Sequence, residues 1–389
     1  MNYSPFLGKT SNYPVDISVK NAFGCHFYDN SGKKYTDLIS GIGVSYVGHG
    51  HPSVIEAVKK QIDSHMHVMV YGEFDYNSQK QLAQKLISLL GDRFEQIFFT
   101  NSGTEANEGA IKLAKRATKR PKIISFTGAY HGSTQGSLSV SGNENRKRNF
   151  RPLLPGIEFL PFGDIASLKA IDQDTAAVII EPVQGDAGVR IPDLEFMKAL
   201  REACTNTGAV LIFDEIQTGM GRTGKWFCFQ HYNTIPDIIT LGKSLGGGLP
   251  LGGFATSKKL METLTHNPPL GHITTFGGNP VCCAAGLASI LVVENENLME
   301  QVEEKGKLFE RLLNHKEIKG FRRIGLMMAI ELEDAQKVET AVKNCLDQGV
   351  LIYWFLSTPN AFRIAPPLII SNKEIKESCE VILKVLNTI

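Results

Sequence analysis

The chain has 389 residues, 42% of them apolar, enough for a large buried core and two structural domains. Its 41 Lys and Arg nearly cancel 40 Asp and Glu, so no global field draws it to nucleic acid or to a membrane surface. Seven scattered cysteines without CxxC pairs fit a reducing compartment rather than a disulfide framework. No apolar stretch approaches membrane-spanning length, and Met1-Asn-Tyr-Ser-Pro5 lacks the charged-then-apolar pattern of a secretion signal. A soluble, cytoplasmic protein is expected.

In chain order, Cys25 to Leu38 reads as a hairpin. His26-Phe27-Tyr28 and Lys34-Tyr35-Thr36 flank a turn at Asp29-Asn30-Ser31-Gly32, whose last residue tolerates positive φ. From about Gln96 to Ser257, short apolar runs alternate with helical stretches. The runs are Ile97–Thr100, Ile123–Phe126, Ala177–Ile180, Ala209–Phe213, Ile238–Leu241 and Gly253–Thr256. Continuous apolar strands with helices between them predict an α/β fold, a mostly parallel sheet covered on both faces. Two basic clusters, Lys115 to Lys122 and Arg146, Lys147, Arg148 and Arg151, read as solvated faces around a helix end and a loop.

Beyond Pro280 come helical patterns over Cys282–Glu294 and Leu298–Leu313. Strand-like runs follow at Met327–Ile330 and Leu351–Tyr353, and a final helix starts at Asn372. The expected division is 1–50 and 286–389 as a small mixed domain built from both termini, with 51–285 as the large domain. Clefts between such lobes are favoured ligand sites.

Lys243 is the residue with the most chemistry around it. It follows the apolar run ending at Leu241 and sits among glycines, Gly242-Lys243-Ser244-Leu245-Gly246-Gly247-Gly248. Another run, Ala209–Phe213, ends on Asp214 and Glu215. A lysine at one strand mouth and a carboxylate at another suit Schiff-base chemistry on a pyridoxal ring, the lysine forming the imine and the carboxylate keeping the ring nitrogen protonated. Upstream, Ser102 with Glu105 has the spacing of a capping box before an alanine-rich helix, and Gly103 permits close approach. A helix N-terminus of that kind is a phosphate site.

Other patterns compete. Gly219-Met-Gly-Arg-Thr-Gly224 matches the dinucleotide fingerprint, but five residues separate it from the strand and no good crossover helix follows. Gly242-Lys-Ser244-Leu-Gly246 has the form of a nucleophile elbow, with Ser244 as nucleophile, yet no downstream histidine stands in a strand-end context. The same segment echoes a P-loop, but the required upstream glycine is Asp237. His49-Gly-His51 and His65-Met-His67 lack further ligands at fixed spacing, so no metal site is expected.

With Asn101-Ser-Gly-Thr-Glu-Ala-Asn107, Tyr130-His-Gly132, Glu181-Pro-Val-Gln-Gly185, Asp214-Glu-Ile-Gln217 and Thr240-Leu-Gly-Lys243 in this order, the chain resembles the class III aminotransferases. Thr274-Thr-Phe-Gly-Gly-Asn-Pro280 and Phe362-Arg-Ile-Ala-Pro-Pro367 complete the set, and the wording is most similar to acetylornithine and ornithine aminotransferases. The resemblance implies the aspartate-aminotransferase fold (fold type I) and pyridoxal 5'-phosphate as cofactor. It implies Lys243 as the imine-forming and proton-shuttling lysine and Asp214 as partner of the ring nitrogen. Gln217 is implied at the ring oxygen, Ser102, Gly103 and Thr104 at the phosphate, and Tyr130 and His131 beside the ring. Thr275 is implied to reach the phosphate across a homodimer interface. Arg363, Thr274, Ser133 and Asp186 are placed at the substrate, with Arg363 as a carboxylate clamp.

Two positions depart from the family pattern. Relatives using ornithine-type donors carry arginine where this chain has Ser133, so Arg190 or a member of the Arg146–Arg151 cluster is left to supply that charge. Relatives also carry glutamate where this chain has Asp186, and the shorter side chain predicts a looser or water-bridged pair with Arg363. The expected function is transfer of a terminal amino group from acetylornithine, ornithine or a similar ω-amino donor to 2-oxoglutarate or pyruvate. Rivals are another ω-transaminase (4-aminobutyrate or diamine), an aminomutase, a nicotinamide dehydrogenase resting on Gly219–Gly224, and a non-catalytic pyridoxal-binding protein.

Overall fold

A computed structural model describes residues 6–11, 15, 17–70 and 72–389. Met1–Pro5, read above for a secretion signal, lies outside them. Fifteen strands form three sheets among the described residues. In chain order they are β1 (Val19–Phe23), β2 (His26–Asp29), β3 (Lys34–Asp37), β4 (Gln96–Thr100), β5 (Lys122–Phe126), β6 (Ile157–Leu160), β7 (Thr175–Ile180) and β8 (Val210–Asp214). Then come β9 (Ile238–Leu241), β10 (Gly252–Thr256), β11 (Gly320–Ile324), β12 (Met327–Glu331), β13 (Val350–Leu351), β14 (Tyr353–Trp354) and β15 (Ala361–Ile364).

The large sheet runs β4-β10-β9-β8-β7-β5-β6. Every residue of β7, β8 and β9 is buried, as continuous apolar strands in a two-sided sheet must be. β10 alone runs against its neighbours; the pairs among β5 to β9 are parallel. The six runs read from the sequence all form strands. The sheet gains β6, an edge strand whose Ile-Glu-Phe-Leu alternation is too short to stand out. Parallel pairing has one consequence for function: loops after β5, β7, β8 and β9 all emerge at the same edge of the sheet. Open parallel sheets bind ligands at that carboxyl edge.

The Cys25–Leu38 hairpin forms as expected, pairing Phe27 with Tyr35 across the strands. Asp29 Oδ1 accepts from the amides of Ser31 and Lys33, fixing the turn, and Gly32 takes φ +86. β13 adds to this sheet in parallel with β3, joining the two ends of the chain. The run Leu351–Tyr353 is therefore split. Val350 and Leu351 pair with β3, whereas Tyr353 and Trp354 pair with β15 in the third sheet, β11-β12-β15-β14.

The helix Pro280–Asn295, apolar on all sides, is buried against Pro52–Ser64 and Asn77–Leu90. Among the described residues, no single helix is long and apolar enough to cross a membrane.

Candidate active site

The parallel edge of the sheet closes over a cavity of about 420 Å³. Asp214 is the last residue of β8 and faces it, in register with Thr240 of β9. Lys243 follows two residues after β9, Tyr130 and His131 lie in the loop after β5, and Glu181 follows β7 directly. Gly103 and Thr104 begin the helix Gly103–Thr118 after β4 and line the same space. Gln217, Ser133, Asp186 and Arg363 complete it from loops and from β15.

Asp214 is buried and held on both oxygens. Oδ2 accepts from His131 Nδ1 at 2.7 Å and from Asn107 Nδ2 at 2.8 Å, and Oδ1 accepts from the Ile216 amide at 3.1 Å. Asn107 also donates to the His131 carbonyl and accepts from Thr240 Oγ1 at 2.8 Å. Those bonds fix the carboxylate's orientation. Among the described residues, His131 Nε2 is buried without a partner and Lys243 Nζ has neither a hydrogen bond nor an ion pair. Burial holds the Lys243 ammonium below the ordinary lysine range, against the opposing pull of Asp214 and Glu181. Its backbone sits at φ +46, a left-handed position that non-glycine residues seldom take.

Gly242 explains how that lysine reaches its place. A Cβ there would come within 3.0 Å of the Gly103 Cα, so the loop carrying Lys243 lies directly on the first turn of the Gly103–Thr118 helix. At that helix start, Ser102 Oγ accepts from the Glu105 amide. The reciprocal half of the expected capping box is absent, because Glu105 Oε2 accepts from Asn101, at its amide and at Nδ2. Ser102 does not line the cavity. Thr104 Oγ1 is engaged by Thr134 and Ser137, while the amides of Gly103 and Thr104 carry no backbone partner among the described residues.

The Asp186–Arg363 pair departs from expectation. Arg363 Nη2 meets Asp186 Oδ1 directly at 2.9 Å, with both side chains buried. The shorter aspartate is not loose, because the Leu356 amide (3.0 Å) and Ser357 Oγ (2.9 Å) donate to it from the other side. The Arg363 guanidinium also stacks 4.5 Å above the Phe355 ring, and its Nε is left buried without a partner. Burial depresses Arg363 basicity and Asp186 opposes that.

Thr274 and Thr275 lie outside the cavity of their own chain. Thr274 Oγ1 accepts from the Gly277 amide and lines a separate hollow with Tyr76 and Gln79, and Thr275 is exposed. Arg190 is exposed and lines neither this cavity nor its neighbour. Lys147, read as solvated, is instead buried: its ammonium donates to the Ser141 carbonyl and sits 3.7 Å from the Phe159 ring centre.

The competing motifs are accounted for structurally. Arg222, in the glycine-rich Gly219–Gly224 segment, is buried and donates to the Leu326 and Pro366 carbonyls, so this loop ties the large sheet region to the C-terminal segment. Ser244 Oγ is buried and donates to the Gly43 carbonyl. His49 pairs with Asp37 and His51 with Glu296, while His67 packs on Phe276.

Three side chains at the site were not singled out from sequence. Asn107 lay inside a quoted motif but had no role. Glu181 accepts from the amides of Tyr130 and Gly185, and burial pushes its carboxyl up to about 7. Ile42 lines the cavity from a loop with φ +65, a strained position for a β-branched residue, and its only sequence signal is the flanking pair Gly41 and Gly43.

A family model described as Aminotransferase class-III matches residues 8–386. The chain is 42% identical to the acetylornithine aminotransferase of Methanopyrus kandleri, over 95% of this chain and 93% of that protein. It is 39% identical to the [LysW]-aminoadipate semialdehyde/glutamate semialdehyde transaminase of Sulfolobus acidocaldarius, over 92% of this chain and 91% of that one. The crystal structure of the ornithine aminotransferase from Toxoplasma gondii ME49 superimposes with a TM-score of 0.90 at 29% identity, covering 97% of this chain and 92% of that chain.

Proposed function

Since this chain belongs to the class III aminotransferases, which are pyridoxal phosphate-dependent transaminases, we propose that it moves a terminal amino group from acetylornithine, ornithine or a similar ω-amino donor to 2-oxoglutarate or pyruvate. The observation that carries the reading is the unpartnered Lys243 amine in one cavity with a fixed, buried Asp214.

The residues fit the cofactor. Uncommitted amides at Gly103 and Thr104, at the positive end of a helix, would hold its phosphate. Tyr130 would cover the ring face and Gln217 would reach the ring oxygen. When bound, pyridoxal phosphate supplies an electron sink that makes the hydrogen on the amine-bearing carbon acidic. Lys243 Nζ would take that proton and return it, a role favoured by burial that keeps more of the amine neutral. Asp214, oriented by Asn107 and His131, would hold a positive charge on the ring nitrogen. Arg363 would leave Asp186 when a substrate brings a carboxylate next to the reacting carbon, and stay paired when it does not.

A second copy of the chain belongs to this reading. Exposed Leu270, Ile273 and Phe276 neighbour Thr275 in sequence, and we take that stretch as the homodimer contact through which Thr275 serves the other protomer's phosphate. Mixing inactive Lys243→Ala and Thr275→Ala proteins should then restore turnover in the mixed dimers, because one site in each carries both residues. We read the small lobe as 1–50 with 286–389 and the large one as 51–285. Seven free cysteines support a cytoplasmic setting.

The test is a matrix of ω-amino donors against 2-oxoglutarate and pyruvate on purified enzyme. Amino transfer from acetylornithine or ornithine supports the reading, and its absence from every donor overturns it.

A further inference from the structure

Lys243 is not the only strained residue in the cavity wall. Ser40, Gly41, Ile42 and Gly43 run consecutively at φ +51, +59, +65 and +78, a left-handed turn. Glycine takes such values freely, but Ser40 and β-branched Ile42 do not, and left-handed residues ordinarily occur singly. Ile42 and Lys243, itself at φ +46, line the same cavity. Strain of this kind persists only where surrounding contacts impose it.

The near end of the turn is held by Asp37, Ala365 and Arg222. Asp37 Oδ1 accepts from the Ile39 and Ser40 amides at 2.8 and 2.9 Å. Ser40 Oγ donates to the Ala365 carbonyl at 2.7 Å and accepts from Arg222 Nη2 at 3.4 Å. The far end is held by Ser244, whose buried Oγ donates to the Gly43 carbonyl at 2.7 Å. Ser244 directly follows Lys243, so one hydroxyl stitches the two strained segments together. Gly43 in turn faces the lysine stem, since a Cβ there would lie 3.7 Å from Lys243 Cδ. The Lys243 amine makes no hydrogen bond or ion pair among the described residues. Packing of its stem, rather than a polar partner, therefore sets where the nitrogen points.

We propose that Ser244 is a positioning residue for that amine: by holding the Gly43 carbonyl it keeps the left-handed turn against the Lys243 stem and aims Nζ into the cavity. The hydroxyl thus has a task that neither a hydrolase nucleophile nor a phosphate loop would give it. Without it the turn relaxes toward ordinary backbone, the wall recedes, and the stem gains rotamers. The inference goes beyond the transaminase reading. Only its kinetic arm rests on that reading, in which Lys243 Nζ takes the proton from the carbon bearing the donor's amine.

The test takes Ser244→Ala with and without cofactor. In cofactor-free protein, Lys243 is reductively methylated with formaldehyde and cyanoborohydride across a pH series and followed by mass. The midpoint of its labelling profile should move up toward the ordinary lysine range as water reaches the stem. Asp214, Glu181, Arg363 and Asp186 act on the amine in both proteins. In the loaded enzyme kcat should fall about 10-fold while KM for the donor stays within about twofold, the pattern of a misplaced reacting group. Deuterium on the carbon bearing the amine should slow the variant more than wild type, because moving that proton has become the slower step. Ser244→Cys, a weaker donor, should fall between the two. Ile42→Gly removes strain that the hydroxyl opposes, so adding Ser244→Ala to it should cost less than about twofold in kcat. A midpoint that stays put, an unchanged isotope effect, or losses that multiply in the double variant would overturn the proposal. A shifted midpoint in a protein that transfers no amine would count against the transaminase reading alone.

Discussion

At the inner end of the cavity, Asp214, His131, Asn107 and Thr240 are tied to one another by bonds of 2.7 to 2.8 Å. Asp214 and Thr240 themselves belong to paired strands. At the outer end, Arg363, Asp186, Ser357 and Asn143 form a comparable chain, but only Arg363 belongs to a strand. The inner network has one arrangement, set by the sheet. The outer one is held by a buried charge pair between Arg363 and Asp186 and by loop donors. On the proposed reading, the difference separates two tasks: fixed groups at the sheet edge would do the chemistry, and loop-borne groups would decide which molecules reach it.

Substitutions at the two ends should therefore fail differently. The largest effect is expected for Asp214→Asn, which removes the fixed negative charge. Cofactor should remain bound while kcat falls on the order of 10²- to 10³-fold, comparable to losing one preorganised electrostatic group. Near-normal turnover would remove Asp214 from the site. At the outer end, Asp186→Ala leaves Arg363 buried without its counter-charge, expected to cost about 3 kcal/mol in denaturant unfolding. Its kcat toward a donor without an α-carboxylate should change far less than that of Asp214→Asn. Comparable kcat losses in the two variants would erase the distinction.

Glu181 joins the ends, accepting from Tyr130 on one side and Gly185 on the other. Burial raises its carboxyl from 4.5 to about 7. A raised carboxyl contributes stability in full below the unfolded value and loses it as pH climbs through the folded one. Stability should thus decline between about pH 4.5 and 7 through this group, and Glu181→Gln should flatten that part of the pH profile of unfolding. The smallest effect is expected for Ser133→Arg. It adds a cation to an exposed part of the cavity wall, so preference for 2-oxoglutarate over pyruvate should rise only a few-fold, about 1 kcal/mol or less. An unchanged acceptor preference would show that position 133 does not face the acceptor's distal carboxylate.

Much of the inner end was legible in the sequence because it is local. Strand runs stop where Asp214 and Lys243 begin, and the parallel edge brings such stops together. The outer end was not legible, because its geometry depends on contacts across long separations. Asp186 and Arg363 are 177 residues apart, and whether an aspartate could reach depended on the donors at Leu356 and Ser357, which no motif announces. Lys147 illustrates the same point. Its neighbours in sequence are charged and exposed, yet one turn of helix and the Phe159 ring bury it. Asn107 sat in a recognised motif, but its function as the donor that orients Asp214 appears only when β8 and the Gly103–Thr118 helix are placed side by side.

The central claim is that Lys243 Nζ is the amine joined to the cofactor. Protein reconstituted with pyridoxal phosphate should be reduced with borohydride, digested and mapped by mass. The added cofactor mass should fall on the peptide carrying Lys243 and vanish in Lys243→Ala. Cofactor mass on another lysine, or protein that stays colourless and unlabelled, would contradict it.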